Sequence, residues 1–173
     1  MNQQPKERSA AFVGYLFDRC QKDKGFAARL RRADNPATEY QCWDTLAAFG
    51  VNLEFTAERQ PFALIAAALA RSKININGTS TLGQAIAGCY EEGNKSDQAK
   101  ARLRRLLACD QTDELYRILR PLLSLIQNRA KNQLDYALLL SDVCRFFYAG
   151  QSVKARWAQQ FYGKSVVQDA EDQ

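Results

Sequence analysis

The stretch Lys100–Lys131, KARLRRLLACDQTDELYRILRPLLSLIQNRAK, decides how the chain is read. Residues three and four apart share a helix face, so Leu103, Leu106 and Leu107 make one apolar stripe, and Leu115, Ile118, Leu119, Leu122 and Ile126 make a second. Two stripes in succession predict two amphipathic helices. Lys100, Arg102, Arg104, Arg105, Arg117, Arg120, Arg129 and Lys131 stand against Asp110, Asp113 and Glu114. That surplus, 8 − 3 = +5, equals the net charge of the whole chain. Arg117 and Arg120, three apart and opposite the second stripe, are neighbours on an outer face. A planar guanidinium matches phosphate oxygens two at a time, which favours an anionic polymer over the bland alternative of a solvated helix surface. Asp110 is expected to cap the second helix, with Asp113 and Glu114 complementing the dipole of its first turn. Pro121 predicts a kink or restart near Arg120, because an internal proline removes a hydrogen bond and crowds the preceding turn.

Outward from this stretch the pattern stays helical. Helices are predicted from Pro5 to Asp23, Phe26 to Ala33, and Ala37 to Phe49. The last of these has Tyr40, Trp43, Leu46 and Ala47 inward and Gly50 at its C-terminal end. After a loop over Val51–Gln60, Pro61–Arg71 is apolar nearly all round, which marks it as the central buried element. Ile74–Thr81 is polar and turn-rich, read as a mobile connector and internal boundary. Leu82–Glu92 forms the next helix, and Ser96 is expected to cap the first basic one. Beyond Lys131, Leu134–Ala149 is expected to bury Tyr136, Leu139, Val143, Phe146 and Phe147. Ser152 then caps a last helix with Val153, Trp157 and Phe161 inward. The expectation is an all-α fold, an irregular bundle of about eight short helices in one helical domain over residues 1–173. An N-terminal lobe runs to about Ser72 and a C-terminal lobe from about Leu82 to Gly163, with a frayed acidic tail over residues 166–173.

The chain has 173 residues, 46% of them hydrophobic, enough for one well-packed core. Its pI near 9.0 favours a polyanionic partner. Met1–Ala11 is polar and charged, without the apolar core of a signal peptide. The longest apolar run, Phe62–Ala70, is far short of the ~20 residues that a membrane span needs. A soluble, cytoplasmic protein with no membrane partner is expected. Cys20, Cys42, Cys89, Cys109 and Cys144 are widely spaced and form no CxxC pair, so they read as reduced core thiols. With no histidine in the chain, the commonest general base and metal ligand is missing. No metal site, cofactor or enzymatic activity is expected. Among the aromatic residues only Tyr116, beside Arg117, is a candidate for stacking on a base, and a packed ring is the better reading of it.

The order of segments resembles the CasB family, the small subunit of the type I-E CRISPR surveillance complex called Cascade. The resemblance covers roughly Phe26 to Gly163. It rests on Ala28-Arg29-Leu30-Arg31-Arg32-Ala33, on Thr81-Leu82-Gly83, and on Arg102 followed by Leu106-Leu107. It continues through Leu119-Arg120, Leu134-Asp135-Tyr136 with Leu139 and Asp142, and Val153-Lys154-Ala155-Arg156-Trp157 with Phe161. The resemblance implies a non-catalytic helical subunit of a crRNA-guided antiviral complex. Two copies would bind crRNA and target DNA, including the displaced strand, beside the other Cascade subunits and stabilise the R-loop. Carried over residue by residue, the nucleic-acid contacts fall on Arg32, Arg102 and Arg120, with Arg31 close by. Helix geometry and charge add Arg105, Arg117 and Lys154. Gln84 stands where relatives often carry a basic residue, and Phe146-Phe147 where tryptophan is common. A helical adaptor whose basic face meets an acidic protein partner is the competing reading. A helix-turn-helix regulator fits less well, because the arginines spread over several helices.

Overall fold

The computed structural model describes residues 5–163. Its helices are α1 Pro5–Lys22, α2 Lys24–Leu30, α3 Trp43–Ala48, α4 Thr56–Arg71, α5 Leu82–Gly88, α6 Asp97–Leu107, α7 Thr112–Arg129 and α8 Tyr136–Tyr162. Short 3-10 turns occupy Glu39–Cys42 and Gly93–Lys95. The fold is all-α, and among the described residues extended pairing is limited to one isolated bridge, Ser80 with Leu134. The acidic tail over residues 166–173 lies outside the described residues.

Within the described residues the chain divides into two compact units. The first runs to Asn77 and includes Tyr136–Phe147, and the second comprises Gly78–Asp135 and continues from Tyr148. The segment Tyr136–Phe147, expected in the C-terminal lobe, thus belongs with the N-terminal unit.

The first unit is built on α4, whose residues Pro61–Ala70 are all buried. Phe12 of α1 sets its ring edge-on to Phe62 at 4.9 Å and to Phe49 at 5.2 Å. These aromatic contacts add to the area that the rings bury. Helix α4 begins at Thr56, one turn earlier than the expected Pro61. Two distant partners hold that added turn: Arg8 pairs with Glu58 at 2.7 Å and Arg59 with Glu39 at 2.5 Å. At the other end of α4, Arg71 grips both oxygens of Asp34, at 2.6 and 2.8 Å. The segment expected as a helix over Ala37–Phe49 opens as a 3-10 turn, whose ~120° per residue shifts the phase of all that follows. Glu39, Cys42, Thr45 and Leu46 therefore face inward, whereas Tyr40 and Ala47 are exposed and Trp43 is half-buried.

In the second unit α5, α6 and α7 pack on one another. Thr81 and Gln84 form a reciprocal capping box at the start of α5. Helix α5 ends at Gly88, one turn short of the expected Glu92. Ser96 caps α6 as expected, accepting from the amide of Ala99. Helix α7 is capped by Gln111 without a side-chain bond, so Asp110 is not the cap. Nor does Pro121 break α7, which continues through it to Arg129. Pro121 faces solvent, where water can satisfy the carbonyl that loses its partner. The two helices expected on either side of Gly150 are both present: α8 is kinked between them at Ala149, whose φ −136° and ψ 38° are non-helical. Phe147, expected inside, is 56% exposed.

The connector Ile74–Thr81 is held rather than free. In the first unit Gln21 donates to the carbonyl of Asn75 at 2.6 Å, and the amide of Tyr136 donates to Oδ1 of Asn77 at 2.8 Å. In the second, Gly78 N–H donates to Leu134 O at 3.1 Å, Ser80 N–H to Gln133 O at 3.0 Å, and Asp135 N–H to Ser80 O at 2.8 Å.

Close approach is what glycine supplies in this second unit. A Cβ on Gly83 would lie 2.5 Å from the carbonyl oxygen of Trp157 and 2.6 Å from the amide nitrogen of Phe161. Gly14, on the exposed side of α1, has nothing within 4 Å. Gly83→Ala should therefore destabilise the protein by about 1–3 kcal/mol through overpacking against backbone. Gly14→Ala should leave it unchanged or raise stability by up to about 1 kcal/mol. Thermal unfolding followed by far-UV circular dichroism compares the two, and equal melting temperatures would contradict the packing assignment.

Candidate nucleic-acid interface

The expected stripes of α6 and α7 are buried: Leu103 and Leu106 in one, Leu115, Leu119, Leu122 and Ile126 in the other, with Leu107 and Ile118 half-buried. Burial of these faces leaves Arg102, Arg104, Arg105, Arg117 and Arg120 exposed. Tyr116 is 4% exposed, so its ring belongs to the core and is not presented to a base.

Ion pairing sorts the cations by unit. The ion pairs of the described residues include six. Five of them, Arg8–Glu58, Arg19–Asp23, Lys22–Asp18, Arg59–Glu39 and Arg71–Asp34, lie in the first unit. The sixth, Lys154–Asp110, lies in the second. Arg102, Arg105, Arg117 and Arg120 take part in none of them. In the first unit Arg8, Arg19, Arg59 and Arg71 are tied to carboxylates of that unit, while in the second Arg102, Arg105, Arg117 and Arg120 face solvent.

Two sequence-predicted residues depart from that picture. Lys154 is 8% exposed and its Nζ lies 2.9 Å from Oδ1 of Asp110. Its charge sits inside the unit and serves as the inner half of an ion pair. Lysine at the fourth position after Gly150 gave a helical phase but not the neighbour across the unit. Arg31 is engaged as well: its Nε donates to the carbonyl of Ala70 at 3.2 Å, in the last turn of α4, and its own carbonyl accepts from Arg71. Arg32 is exposed. The structure thus groups Arg102, Arg105, Arg117, Arg120 and the buried Lys154 in the second unit, and Arg31 and Arg32 in the first. Gln84 accepts from the amide of Thr81 at 3.2 Å as part of the α5 cap. Gln84 thus has a structural task.

Arg129 and Lys131 were counted in the basic stretch but not among the site residues, and both are exposed. Finding them required the contact at the end of α5, where the amide of Lys131 donates to the carbonyl of Gly88 at 3.3 Å. That pairing has no local signal in the sequence.

The cysteines carry no site. Among the described residues no group of three or more His, Cys, Asp or Glu side chains could hold a metal ion. All five thiols are free. Burial pushes Cys42 and Cys144 up to about 12, and raises Cys20, Cys89 and Cys109 above the ordinary thiol value. A protonated thiol is a poor nucleophile. No helix among the described residues is long and apolar enough to cross a membrane.

Residues 27–162 match the family model of the CRISPR-associated protein Cse2. The chain belongs to the Cse2 family. A Cse2 protein of Thermus thermophilus is 29% identical over 113 residues, covering 65% of this chain. The match spans 62% of that curated relative's length, a little under two thirds. CasB of M. ruber superposes with a TM-score of 0.78 at 25% identity, over 96% of this chain and 98% of that one. A chain of a CRISPR RNA-guided surveillance complex superposes with a TM-score of 0.76 over 98% of both chains. At 19% identity that likeness speaks to the fold alone. Several Cse2-like segments acquire a physical reason here. Thr81 caps α5, Gly83 lets it approach α8, and Trp157 and Phe161 are the α8 residues it approaches.

The contrast between Lys154 and the open arginines is testable. Lys154→Ala should lower stability by about 1–3 kcal/mol, the range for a charge-assisted hydrogen bond removed from a mostly buried site. Arg117→Ala should stay within about 0.5 kcal/mol of the unsubstituted protein. Urea unfolding at constant ionic strength gives both values, and a neutral Lys154→Ala would remove the structural role assigned to this lysine.

Proposed function

We propose that this Cse2-family chain is a non-catalytic nucleic-acid-binding subunit of a crRNA-guided antiviral surveillance complex of the type I-E Cascade kind. In this reading its exposed arginines stabilise the R-loop by contacting phosphates without regard to sequence. Its partners are crRNA, target DNA including the displaced strand, the other subunits of the complex and a second copy of itself.

The observation that carries this reading is the pair Arg117 and Arg120, adjacent on the exposed side of an 18-residue helix and outside every ion pair among the described residues. Exposed guanidinium groups with no carboxylate of their own protein retain both donor edges for phosphate oxygens. Arg32, Arg102 and Arg105 are exposed in the same way. Such contacts release counterions from the nucleic acid, so affinity is expected to depend steeply on salt and little on base sequence. Guide pairing supplies the sequence specificity, and the subunit needs only to hold the opened strands.

The test is a complex reconstituted with Arg117→Ala/Arg120→Ala. Assembly and melting temperature should be unchanged, and R-loop lifetime should shorten about tenfold or more, since two phosphate contacts are lost. An unchanged lifetime at equal occupancy would remove this face from R-loop stabilisation. Failure of the variant to enter the complex would favour the adaptor reading, in which the arginines meet an acidic protein surface.

A further inference from the structure

We propose that Arg102, Arg129 and Lys131, gathered around the C-terminal end of α5, form a phosphate-binding cluster that takes the backbone of a nucleic-acid strand. The inference rests on the nucleic-acid reading above and specifies which cations of the second unit act together.

The grouping follows from packing. Helix α5 contacts both α6 and α7, and it ends at Gly88. The carbonyl of Gly88 receives the amide of Lys131 at 3.3 Å, which brings the end of α7, with Arg129 in its last turn, to the end of α5. Helix α6, which carries the exposed Arg102, also packs on α5. At the next residue, Cys89, burial raises the thiol, and the positive charges of Arg129 and Arg102 act in the opposite direction. All three cations are exposed, and none joins an ion pair among the described residues.

The other end of α6 has a different electrostatic character. There the buried Cys109 senses Glu114 first, then Lys154, Asp110 and Arg105. The thiol at that end thus feels two carboxylates as well as two cations. Three like charges held together on exposed surface repel one another. That repulsion is relieved when a polyanion neutralises them. Phosphodiester backbone has the matching chemistry, with one charge per nucleotide spaced closely enough to meet several cations of one cluster. The plain alternative is that Arg129 merely complements the dipole at the end of α7, a role that affects folding and not ligand affinity.

The experiment measures binding of the full chain to duplex DNA, single-stranded DNA and single-stranded RNA of mixed sequence across a salt titration, with polyglutamate as a protein-like anion. Arg129→Ala/Lys131→Ala should flatten the slope of log affinity against log salt on duplex DNA by about two units, about one per residue removed. Adding Arg102→Ala should remove about one more. Arg104→Ala is the control, since Arg104 lies about 200° from Arg102 around α6 and deletes the same charge. The single-stranded probes report which strand type is preferred. If the unsubstituted chain binds with a salt-dependent slope that Arg129→Ala/Lys131→Ala leaves intact, the cluster is overturned and the broader reading stands. A lowered melting temperature with an unchanged slope would overturn it in favour of the dipole role. Polyglutamate binding that these substitutions weaken, with nucleic-acid binding intact, would overturn it in favour of an acidic protein partner. No salt-dependent nucleic-acid binding by the unsubstituted chain would count against the nucleic-acid reading itself.

Discussion

The second unit depends on three backbone hydrogen bonds that join Gly78 and Ser80 to the residues just before α8. They close the segment between Gly78 and Asp135 on itself, and closing a long segment costs little more than closing one half its length. The approach is so near that a Cβ on Gly78 would fall 2.0 Å from the carbonyl oxygen of Gln133. No other residue type fits there. Both neighbouring elements take their starting points from this pairing: Thr81, the next residue after Ser80, caps α5, and α8 begins at Tyr136, the next after Asp135. Once α5 is placed, Gly83 sets how near it lies to Trp157 and Phe161. The depth of the α5 stripe then follows, and with it the outward aim of the arginines on α6 and α7.

The first unit solves a different problem with the same residue types. Glu39 is 7% exposed, and a carboxylate removed from water needs compensation. It receives Arg59 and, at 3.1 Å, the indole N–H of Trp43. The Arg59 guanidinium also lies over the Trp43 ring, 5.3 Å from its centroid. Removing one member of such a set would strand the others, which makes it a device for fixing geometry more than a source of net stability. Arginine is structural in this unit because carboxylates from distant positions arrive to meet it. Arg102, Arg105, Arg117 and Arg120 of the second unit are open because none does.

That difference explains what could be read from the sequence. The stripes of α6 and α7 were legible because a 3.6-residue period is a local property, and the cap by Ser96 was legible for the same reason. The first turn of α4 was not, since it depends on Arg8 and on Glu39, each far away in the chain. The inward face over Tyr40–Ala47 was misplaced because a 3-10 turn rotates the residues after it, and nothing local announces the tighter winding. The burial of Lys154 and the contact of Lys131 with Gly88 are products of non-local packing. The family resemblance identified the chain where periodicity could only describe it. Helix phase placed Lys154 with the open cations, whereas its Nζ lies against Asp110 and the residue is buried.

The exposed cations of the second unit are guanidinium groups together with a few lysines, in a chain without histidine. Arginine holds its proton at any pH a cell sustains, and an exposed lysine does so well above neutrality. The chain lacks histidine, the side chain that ordinarily changes charge between about pH 5 and pH 8. Acidification of the medium cannot switch these cations on and mild alkalinity cannot switch them off. Their field outside the protein is screened by mobile ions, decaying over about 8 Å at physiological ionic strength. A surface of this composition is a constant, and regulation has to come from whatever competes for it.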